Sequence, residues 1–459
     1  MFRPLRFLSL ALLAAAKLPA VEAPPVQISV QCEWIRLPHA AANSLIRQHL
    51  KSTGHTRLHE EVSAMLKAKT ATRLDVQSLL SSAGQRTKVE GVIEKASATQ
   101  FDPPQFPQTL SIDGDWPFHL ATPACAGSFT FRNLGREVEL EVALTKGGLP
   151  VQLKLAASWS EHLTDIPYGI GISAFSQPEF FHARVLTELR CASGVWQLAG
   201  LFTPPPDKKA GAGSAPLPAD RVLLFVRATA PGLKPDGKSG PNNERATYSV
   251  LAEWIEADAG LIAGLLEAAP DLTSAAGLRA ALEDPVAAGT AMLMETAFVS
   301  VPSRAVAKII SVRSFPFPAE VDPAQPPQTL TVTNRTPAGA AVPGGGVQAP
   351  LMTPSFFNAY AHRESGTVME VHCAPHGDGA LTELELKADI SALAGGDVFG
   401  HGVAEVPQPR FQNLHCSTVF TILPGVPALA GLLDPLLPPG QSQPAVRPRK
   451  ILFFVTVLP

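Results

Sequence analysis

The amino-acid sequence predicts a β-rich α+β protein made of two tandem modules of antiparallel strands, each with short helices near its start. Three observations support this fold class. The 459 residues include 35 glycines and 44 prolines, a surplus that favours turns and short strands over long helices. Apolar and polar residues alternate in several segments, as in half-buried strands. Finally, the same order of segments occurs twice along the chain.

The duplication is visible as short segments that recur in the same order. SVQCEWI at 29–35 recurs as SVLAEWI at 249–255, about 220 residues later. Five further matches follow in sequence order: 102–103 with 322–323, 108–110 with 328–330, 177–180 with 408–411, 198–201 with 429–432, and 222–226 with 451–455. Because chance does not give six collinear matches, the chain is a tandem duplication.

The ends of the two copies define a domain organisation. Arg3 and Arg6 precede an apolar stretch at 7–16, and small residues allow cleavage after Ala20 or Ala23, as in a secretory signal peptide. We therefore expect a signal peptide at 1–23, a first module at 24–231, a linker at 232–245 and a second module at 246–459. No later segment has the ~18 consecutive apolar residues of a membrane-spanning helix.

Charge and cysteine content exclude some classes of protein. The net charge is −3, and acidic and basic residues are mixed along the chain, so no basic block predicts a nucleic-acid partner. The cysteines are odd in number, and they occupy non-equivalent positions in the two copies: Cys32, Cys125, Cys191, Cys373 and Cys416. This pattern favours buried thiols over a disulfide scaffold, and it leaves open whether any of them pair.

Local patterns predict similar elements in each module. A strand at 26–35 leads into a helix, because Leu58, Val62 and Leu66 share one helical face together with Met65. Leu261, Ile262, Leu265 and Leu266 are predicted to form the equivalent helix in the second module.

Each module also predicts a β-hairpin. Apolar residues alternate at 138–144 and again at 151–155, on either side of the Lys-Gly-Gly turn at 146–148. In the second module, the turn at 376–379 separates a strand at 368–373 from one at 381–386. Alternation of this kind predicts one buried and one wet face.

Several of these segments, in this order, resemble the secretin domain of bacterial type II and type III secretion and type IV pilus systems. Residues 79–86 (LLSSAGQR) are similar to the family's serine-rich strand and Ser-Gly-Gln turn. Residues 99–104 (TQFDPP) are similar to a segment common in secretin-like proteins. The remaining similar strands are 133–142, 181–187, 195–202 and 221–229. The resemblance covers 26–231 and, more weakly, 246–459.

The resemblance implies subunits that associate into a ring and contribute strands to a large outer-membrane β-barrel for export of cargo. Typical secretins carry one such domain, whereas here it is doubled. We expect an exported, self-associating secretin-like component of a secretion or pilus assembly system at the outer membrane. The alternative is a soluble periplasmic scaffold or binding protein that keeps the fold without a pore. The expected partners are further copies of the chain and other cell-envelope proteins.

Metal and nucleotide sites are weighed and not expected. His372, Cys373 and His376 are three residues of ligand type near one turn, but no second ligand pair at zinc spacing accompanies them. Gly169 and Gly171 formally match part of a dinucleotide-binding pattern, yet nearby prolines favour a bend over the helix that this pattern must open. We therefore expect neither a cofactor nor a metal.

Catalysis is also not expected, and neither is a small-molecule substrate. The sequence has no Gly-x-Ser-x-Gly and no His-Glu-x-x-His segment. His59 is predicted to lie with Glu60 and Glu61 on the solvated side of a helix. The duplicated pairs Glu33-Trp34 and Glu253-Trp254 come nearest to a functional signature, and we interpret each as a packing tryptophan with an adjacent polar partner.

Overall fold

The structure is a computed structural model. It describes residues 26–52, 54–104, 109–113, 124–144, 150–169, 173–204, 220–231, 247–268, 274–323, 325–335, 347–353, 355–377, 379–435 and 449–459. The predicted signal peptide and the predicted linker at 232–245 lie outside the described residues.

Strands dominate both halves, as predicted. The first half contains β1 (Gln27–Pro38), α1 (His39–His49), α2 (Thr56–Lys67), β2 (Thr72–Ser82), β3 (Arg86–Asp102), β4 (Thr109–Asp113), β5 (Cys125–Leu144), β6 (Val151–Tyr168), β7 (Phe175–Cys191), β8 (Trp196–Phe202) and β9 (Asp220–Thr229). The second half contains β10 (Thr247–Asp258), α3 (Ala259–Ala268), α4 (Ala276–Ala280), α5 (Glu283–Ala287), β11 (Met292–Pro302), β12 (Val306–Asp322), β13 (Gln325–Arg335), β14 (Val347–Thr353), β15 (Phe356–His376), β16 (Leu381–Phe399), β17 (Val406–Ile422), β18 (Ala428–Leu433) and β19 (Arg449–Leu458).

The first of two eight-stranded antiparallel sheets, here called the inner sheet, repeats one four-strand order. Its strands run β2-β1-β9-β8 and then β11-β10-β19-β18. The register repeats as well: β1 pairs with β2 with an irregularity after Trp34, and β10 pairs with β11 with one after Trp254. The two halves meet where β11 pairs with β8, at Phe298 opposite Leu201 and Val299 opposite Gly200.

The second sheet, here called the outer sheet, is built in the same way. The first half supplies β3, β5, β6 and β7, each paired antiparallel with the next. The second half supplies β12, β15, β16 and β17 in the equivalent order. Strand β7 pairs with β12 over seven residue pairs, from Lys308 opposite Leu186 to Ser314 opposite Phe180, so the halves are joined in both sheets.

The strands of the outer sheet are longer than the glycine and proline content predicted. β5 has 20 residues, β6 has 18 and β15 has 21. The expectation of short strands was wrong because the prolines in this sheet do not end its strands, as Pro316 and Pro318 within β12 show. The strand pairs of both predicted hairpins are confirmed, with Leu144 opposite Val151 and His376 opposite Leu381. The predicted turn at 146–148 lies outside the described residues.

The packed layers are, in order, helices, inner sheet and outer sheet. Val30 and Trp34 of β1 share one core with Val138 and Leu153 of the outer sheet. On the other face of the inner sheet, α1 and α2 cover a second core, while α3, α4 and α5 cover a third. A separate three-stranded sheet joins β14, β13 and β4, and β13 runs parallel to β4.

The helices of the two halves correspond to each other in a different way from the one predicted. The helix at Thr56–Lys67 is confirmed, with Leu58 and Val62 buried. However, the leucine-rich segment of the second half is α3, which directly follows β10 as α1 directly follows β1. The short helices α4 and α5 therefore occupy the place of α2. Apolar spacing identified a helix but not its partner, because α1 is sparse in large apolar residues and buries Ala42, Asn43, Ile46 and His49.

Two equivalent glycines are required where the long strands β5 and β15 leave the layered core. Gly135 has a φ of 139° and Gly366 a φ of 143°. A Cβ on Gly135 would overlap the carbonyl oxygen of Gly91 and lie 2.9 Å from the Cα of Val92, and one on Gly366 would overlap the carbonyl oxygen of Ser311. Glycine alone adopts this backbone without a steric penalty.

We predict that Gly135→Ala and Gly366→Ala each lower the free energy of unfolding by roughly 2 kcal/mol or more, because strained backbone and the overlap add up. Denaturant unfolding measures the change. Gly91→Ala is the matched control, since its added Cβ would meet nothing within 4 Å. A Gly135→Ala chain as stable as the Gly91→Ala chain would contradict the account.

Candidate functional site

Three buried carboxylates stand out on the inner sheet, on strands that otherwise carry mainly apolar side chains. Glu33 lies on β1, Glu253 on the equivalent β10, and Glu295 on β11, and their side chains are 6, 2 and 5 % exposed. An isolated buried carboxylate costs several kcal/mol, so each needs a charged or hydrogen-bonding partner.

Glu33 is held by the second helix. Its Oε2 lies 3.2 Å from Nε2 of His59 and 3.5 Å from a guanidinium nitrogen of Arg73. The His59 ring stacks on Trp196 with 4.1 Å between ring centroids. Burial lowers the pKa of His59, and the hydrogen bond and charge of Glu33 oppose that shift. The expectation that His59 is solvated was wrong: its side chain is only 12 % exposed.

Glu253 makes the equivalent contact in the second half, with arginine in place of histidine. Arg279 of α4 donates from Nε to Oε2 at 3.1 Å and from a terminal nitrogen to Oε1 at 2.8 Å. Arg279 and Glu253 have the same spacing in sequence as His59 and Glu33. The bidentate geometry and the permanent charge of arginine make this the stronger pair.

Glu295 lies where the two halves join. Arg221 of β9 approaches it at 3.1 Å, and the Arg221 side chain is 0 % exposed. Thr203 donates its hydroxyl to Glu295 at 2.7 Å, and Thr367 of the outer sheet does so at 3.4 Å. Burial lowers the pKa of Arg221, and the charge of Glu295 opposes this shift.

Further polar contacts from α1 cross the same boundary. His39 Nε2 lies 2.9 Å from the hydroxyl of Thr296, and the Asn43 amide donates to Glu253 at 3.2 Å. Arg47 pairs with Glu283 at 3.0 Å. Burial, followed by the charge of Arg221, lowers the pKa of His39 to about 3, so this ring is neutral near pH 7. We call this set of contacts, from Arg221–Glu295 to Arg47–Glu283, the polar seam.

The duplicated tryptophans are packing residues of the core. Trp34 stacks on Phe202 with 5.2 Å between ring centroids, and Trp254 stacks on Phe453 with 4.4 Å. Both tryptophans are buried in the core between the sheets. Since neighbouring residues of a strand point to opposite faces, each adjacent glutamate points toward the helices.

The other candidate residues from the sequence analysis do not come together in one site. Cys373 is buried between the sheets, while His376 is half exposed at the hairpin turn, 3.7 Å from Glu383. In the part of the chain that the structure describes, no group of three or more His, Cys, Asp and Glu residues has the arrangement of a metal site. Gly169 has a φ of 71° and follows the end of β6, and Gly171 lies outside the described residues.

The cysteines are free thiols in this structure. Cys32, Cys191 and Cys373 are buried, Cys416 is half-buried, and Cys125 is exposed, so the expectation of buried thiols holds for three of the five. Burial raises the pKa of Cys32, Cys191 and Cys373 to about 12 in each case. These three are therefore protonated and unreactive at neutral pH.

Sequence reasoning missed most of the polar seam. Arg279 could have been identified from the sequence, because the constant spacing between the copies places it at the position equivalent to His59. Arg221 had a weaker signal, a single arginine at the start of an apolar closing strand. Glu295, Thr203 and His39 carried no local signal, since strands and a helix distant in sequence bring them together.

None of the described helices is long and apolar enough to cross a bilayer.

Comparisons with known proteins give one weak likeness. No protein-family model matches the sequence, and no curated protein matches it. A solved structure of the type IV competence pilus secretin PilQ of V. cholerae superposes with a TM-score of 0.23 and 8 % sequence identity. The superposition covers 46 % of this chain and 62 % of the secretin chain, which is less than two thirds of its length. This likeness is weak in sequence and in superposition alike.

We predict that Arg279→Met lowers the free energy of unfolding by about 3 kcal/mol or more, because it leaves Glu253 buried without its cation. Adding Glu253→Gln recovers most of this loss, since the uncompensated charge is then gone. Denaturant unfolding of the single and double variants measures both effects.

Lys154→Met is the control for this pair. Lys154 lies 3.5 Å from Glu141, but its side chain is 63 % exposed. Its loss should change stability by less than about 1 kcal/mol. Equal effects of Arg279→Met and Lys154→Met would refute a structural role for the buried pair.

We predict that acid destabilises the polar seam through His39. The pKa of the folded ring is about 3, against an ordinary value of 6.5, so below about pH 6.5 the unfolded chain binds a proton that the folded chain does not. The contribution is complete above that pH and decreases toward pH 3, at up to about 1.4 kcal/mol per pH unit.

Unfolding measured from pH 7 to 4 tests this expectation. His39→Gln keeps a partner for Thr296 and should reduce the pH dependence. The remaining slope includes the contribution of His55, whose pKa burial lowers to about 4, and those of the other buried histidines whose pKa burial lowers, namely His59, His182 and His362. His401→Gln, at an exposed position, should leave the wild-type slope. An unchanged slope in His39→Gln contradicts the assignment.

Proposed function

We propose that this chain is a non-enzymatic, exported, secretin-like component of the cell envelope. It self-associates and takes part in protein secretion or pilus assembly at the outer membrane. Its partners in this role are further copies of itself and other envelope proteins. Two lines of support lead to this proposal: the ordered series of secretin-like segments in the sequence, and the way in which the two copies of the module meet.

The observation that carries the proposal is the edge-to-edge junction. Two copies of one unit lie side by side and pair strands in both sheets, β8 with β11 and β7 with β12. A module that satisfies its strand edges with another copy of itself is suited to assembly into larger arrays. The buried charged side chains of this region have charged or hydrogen-bonding partners within the chain, as expected of an interface with a structural role.

A second candidate is a soluble periplasmic scaffold or binding protein with the same fold and no pore. It is favoured by the charge on part of the solvent face of the outer sheet. Ion pairs on that face join Lys88 to Glu137, Lys154 to Glu141, and Lys308 to Glu370. Such a surface is unsuited to contact with lipid, where charged side chains are costly.

Fractionation of the native host, followed by size analysis of an unboiled detergent extract, separates the two candidates. We predict a heat-resistant, high-mass species in the outer-membrane fraction, because paired edges and buried ion pairs dissociate slowly. The boiled extract, which should migrate as a single chain, is the control. A periplasmic monomer would rule out the assembly and favour the scaffold.

A further inference from the structure

The two halves differ most at the strands that lie at opposite ends of the sheets. In the inner sheet, β2 and β18 are the terminal strands, whereas their equivalents β11 and β8 pair with each other. In the outer sheet, β17 is terminal, whereas its equivalent β7 pairs with β12. The terminal strands of the second half, β18 and β17, are thus the equivalents of β8 and β7, the strands that the first half uses at the junction.

In the inner sheet, the strands at the free ends carry more exposed side chains than their equivalents at the junction. On β2, Val76 is 43 % and Leu80 66 % exposed, while the equivalent Thr296 and Ser300 of β11 are 1 and 2 % exposed. Leu432 of β18 is 44 % exposed, against 2 % for the equivalent Leu201. Apolar residues therefore stand on these free edges where the junction buries their equivalents.

The outer sheet shows the same contrast. Residues 307–318 of strand β12 are buried or half-buried between β7 and β15, whereas the equivalent β3 is mostly exposed over 86–96 and pairs there with β5 alone among the described strands. Strand β15 reaches β3 only further along, where Ala359 lies opposite Gln100. Its Ile93 is 76 % exposed, and Val419 of the terminal strand β17 is 61 % exposed. Exposed apolar residues on unpaired edges are liabilities unless something covers them.

The charged residues at the two free ends indicate what covers these exposed apolar edges. The buried junction pair Arg221–Glu295 has equivalents at the two free ends: Lys450 on β19 stands where Arg221 does, and Asp75 on β2 stands where Glu295 does. The cation thus lies at one end of the inner sheet and the anion at the other. Within one chain they are far apart in strand order, and Lys450 pairs with Asp434 instead.

We propose that a second copy of this chain covers each free end, head to tail, through a joint that repeats the internal junction. Strands β18 and β17 of one copy pair with β2 and β3 of the next, and Lys450 meets Asp75. This inference rests on the proposed self-association and specifies the surfaces that perform it. Because the two surfaces differ, the contact is heterologous, and repeating it gives a ring or a filament.

The copied register is specific enough for cross-linking. Phe298 opposite Leu201 at the internal junction becomes Ser78 opposite Leu432 between chains. Full-length Ser78→Cys and Leu432→Cys chains, both with exposed Cys125 replaced by serine, are mixed and oxidised. A disulfide-linked dimer should form in the mixture. The Cys125→Ser background and a mixture of Lys154→Cys with Leu432→Cys are the controls, and neither should link.

Charge reversal tests the same joint without cysteines. Asp75→Lys or Lys450→Glu alone should raise the protein concentration needed for assembly about tenfold, because like charges then meet at the joint. The two changes together should restore assembly. Light scattering in detergent and in buffer measures the particle mass, and Lys154→Glu, in the middle of the outer sheet, should assemble as the unmodified chain does.

The outcomes separate this inference from the proposed function. Assembly that persists without a link between positions 78 and 432, and that charge reversal does not affect, would overturn the head-to-tail joint and leave self-association standing. A strict monomer at every concentration, in detergent and in buffer, would overturn both. Cross-linking together with rescue by the double reversal would establish the joint.

Discussion

The pairing of strand edges at the junction is the constraint on which the rest of the structure depends. An edge strand leaves backbone N–H and C=O groups without partners, and a two-sheet unit has such edges in both layers. Here β8–β11 and β7–β12 satisfy one set of edges within the chain. Because both sheets continue across the junction, the core between them is also continuous, and residues of both halves belong to one cluster.

The polar seam gives this junction its register. A buried ion pair adds little net stability compared with apolar residues of the same size, but an unmatched buried charge is costly. Arg221 and Glu295 therefore act mainly against wrong pairings, since a shift of one residue would turn a side chain to the other face of its sheet. Arg221 pairs with Oε1 of Glu295, and the hydroxyls of Thr203 and Thr367 donate to the remaining oxygen, Oε2, so that the charge is tolerated away from water.

The two copies have diverged around a shared geometry. Each keeps a glutamate beside a core tryptophan, and each holds that glutamate with a cationic or titratable side chain from its helical segment. In the first half this partner is His59, whose charge depends on pH, and in the second it is Arg279, whose charge does not. The second half thus has the firmer anchor, and Asn43 of the first half adds a hydrogen bond to the same carboxylate.

The sequence by itself determined the β-rich class, the repeat, the helix at Thr56–Lys67 and both hairpins, because these depend on periodicity and turn residues that are local. Comparison of the two copies would also have located Arg279. Only the tertiary structure decided that α3 corresponds to α1, that His59 is enclosed, and that Arg221 meets Glu295. Those facts depend on which strands become neighbours, and neighbours in a sheet are set by edge pairing and burial across long sequence separations rather than by any local pattern.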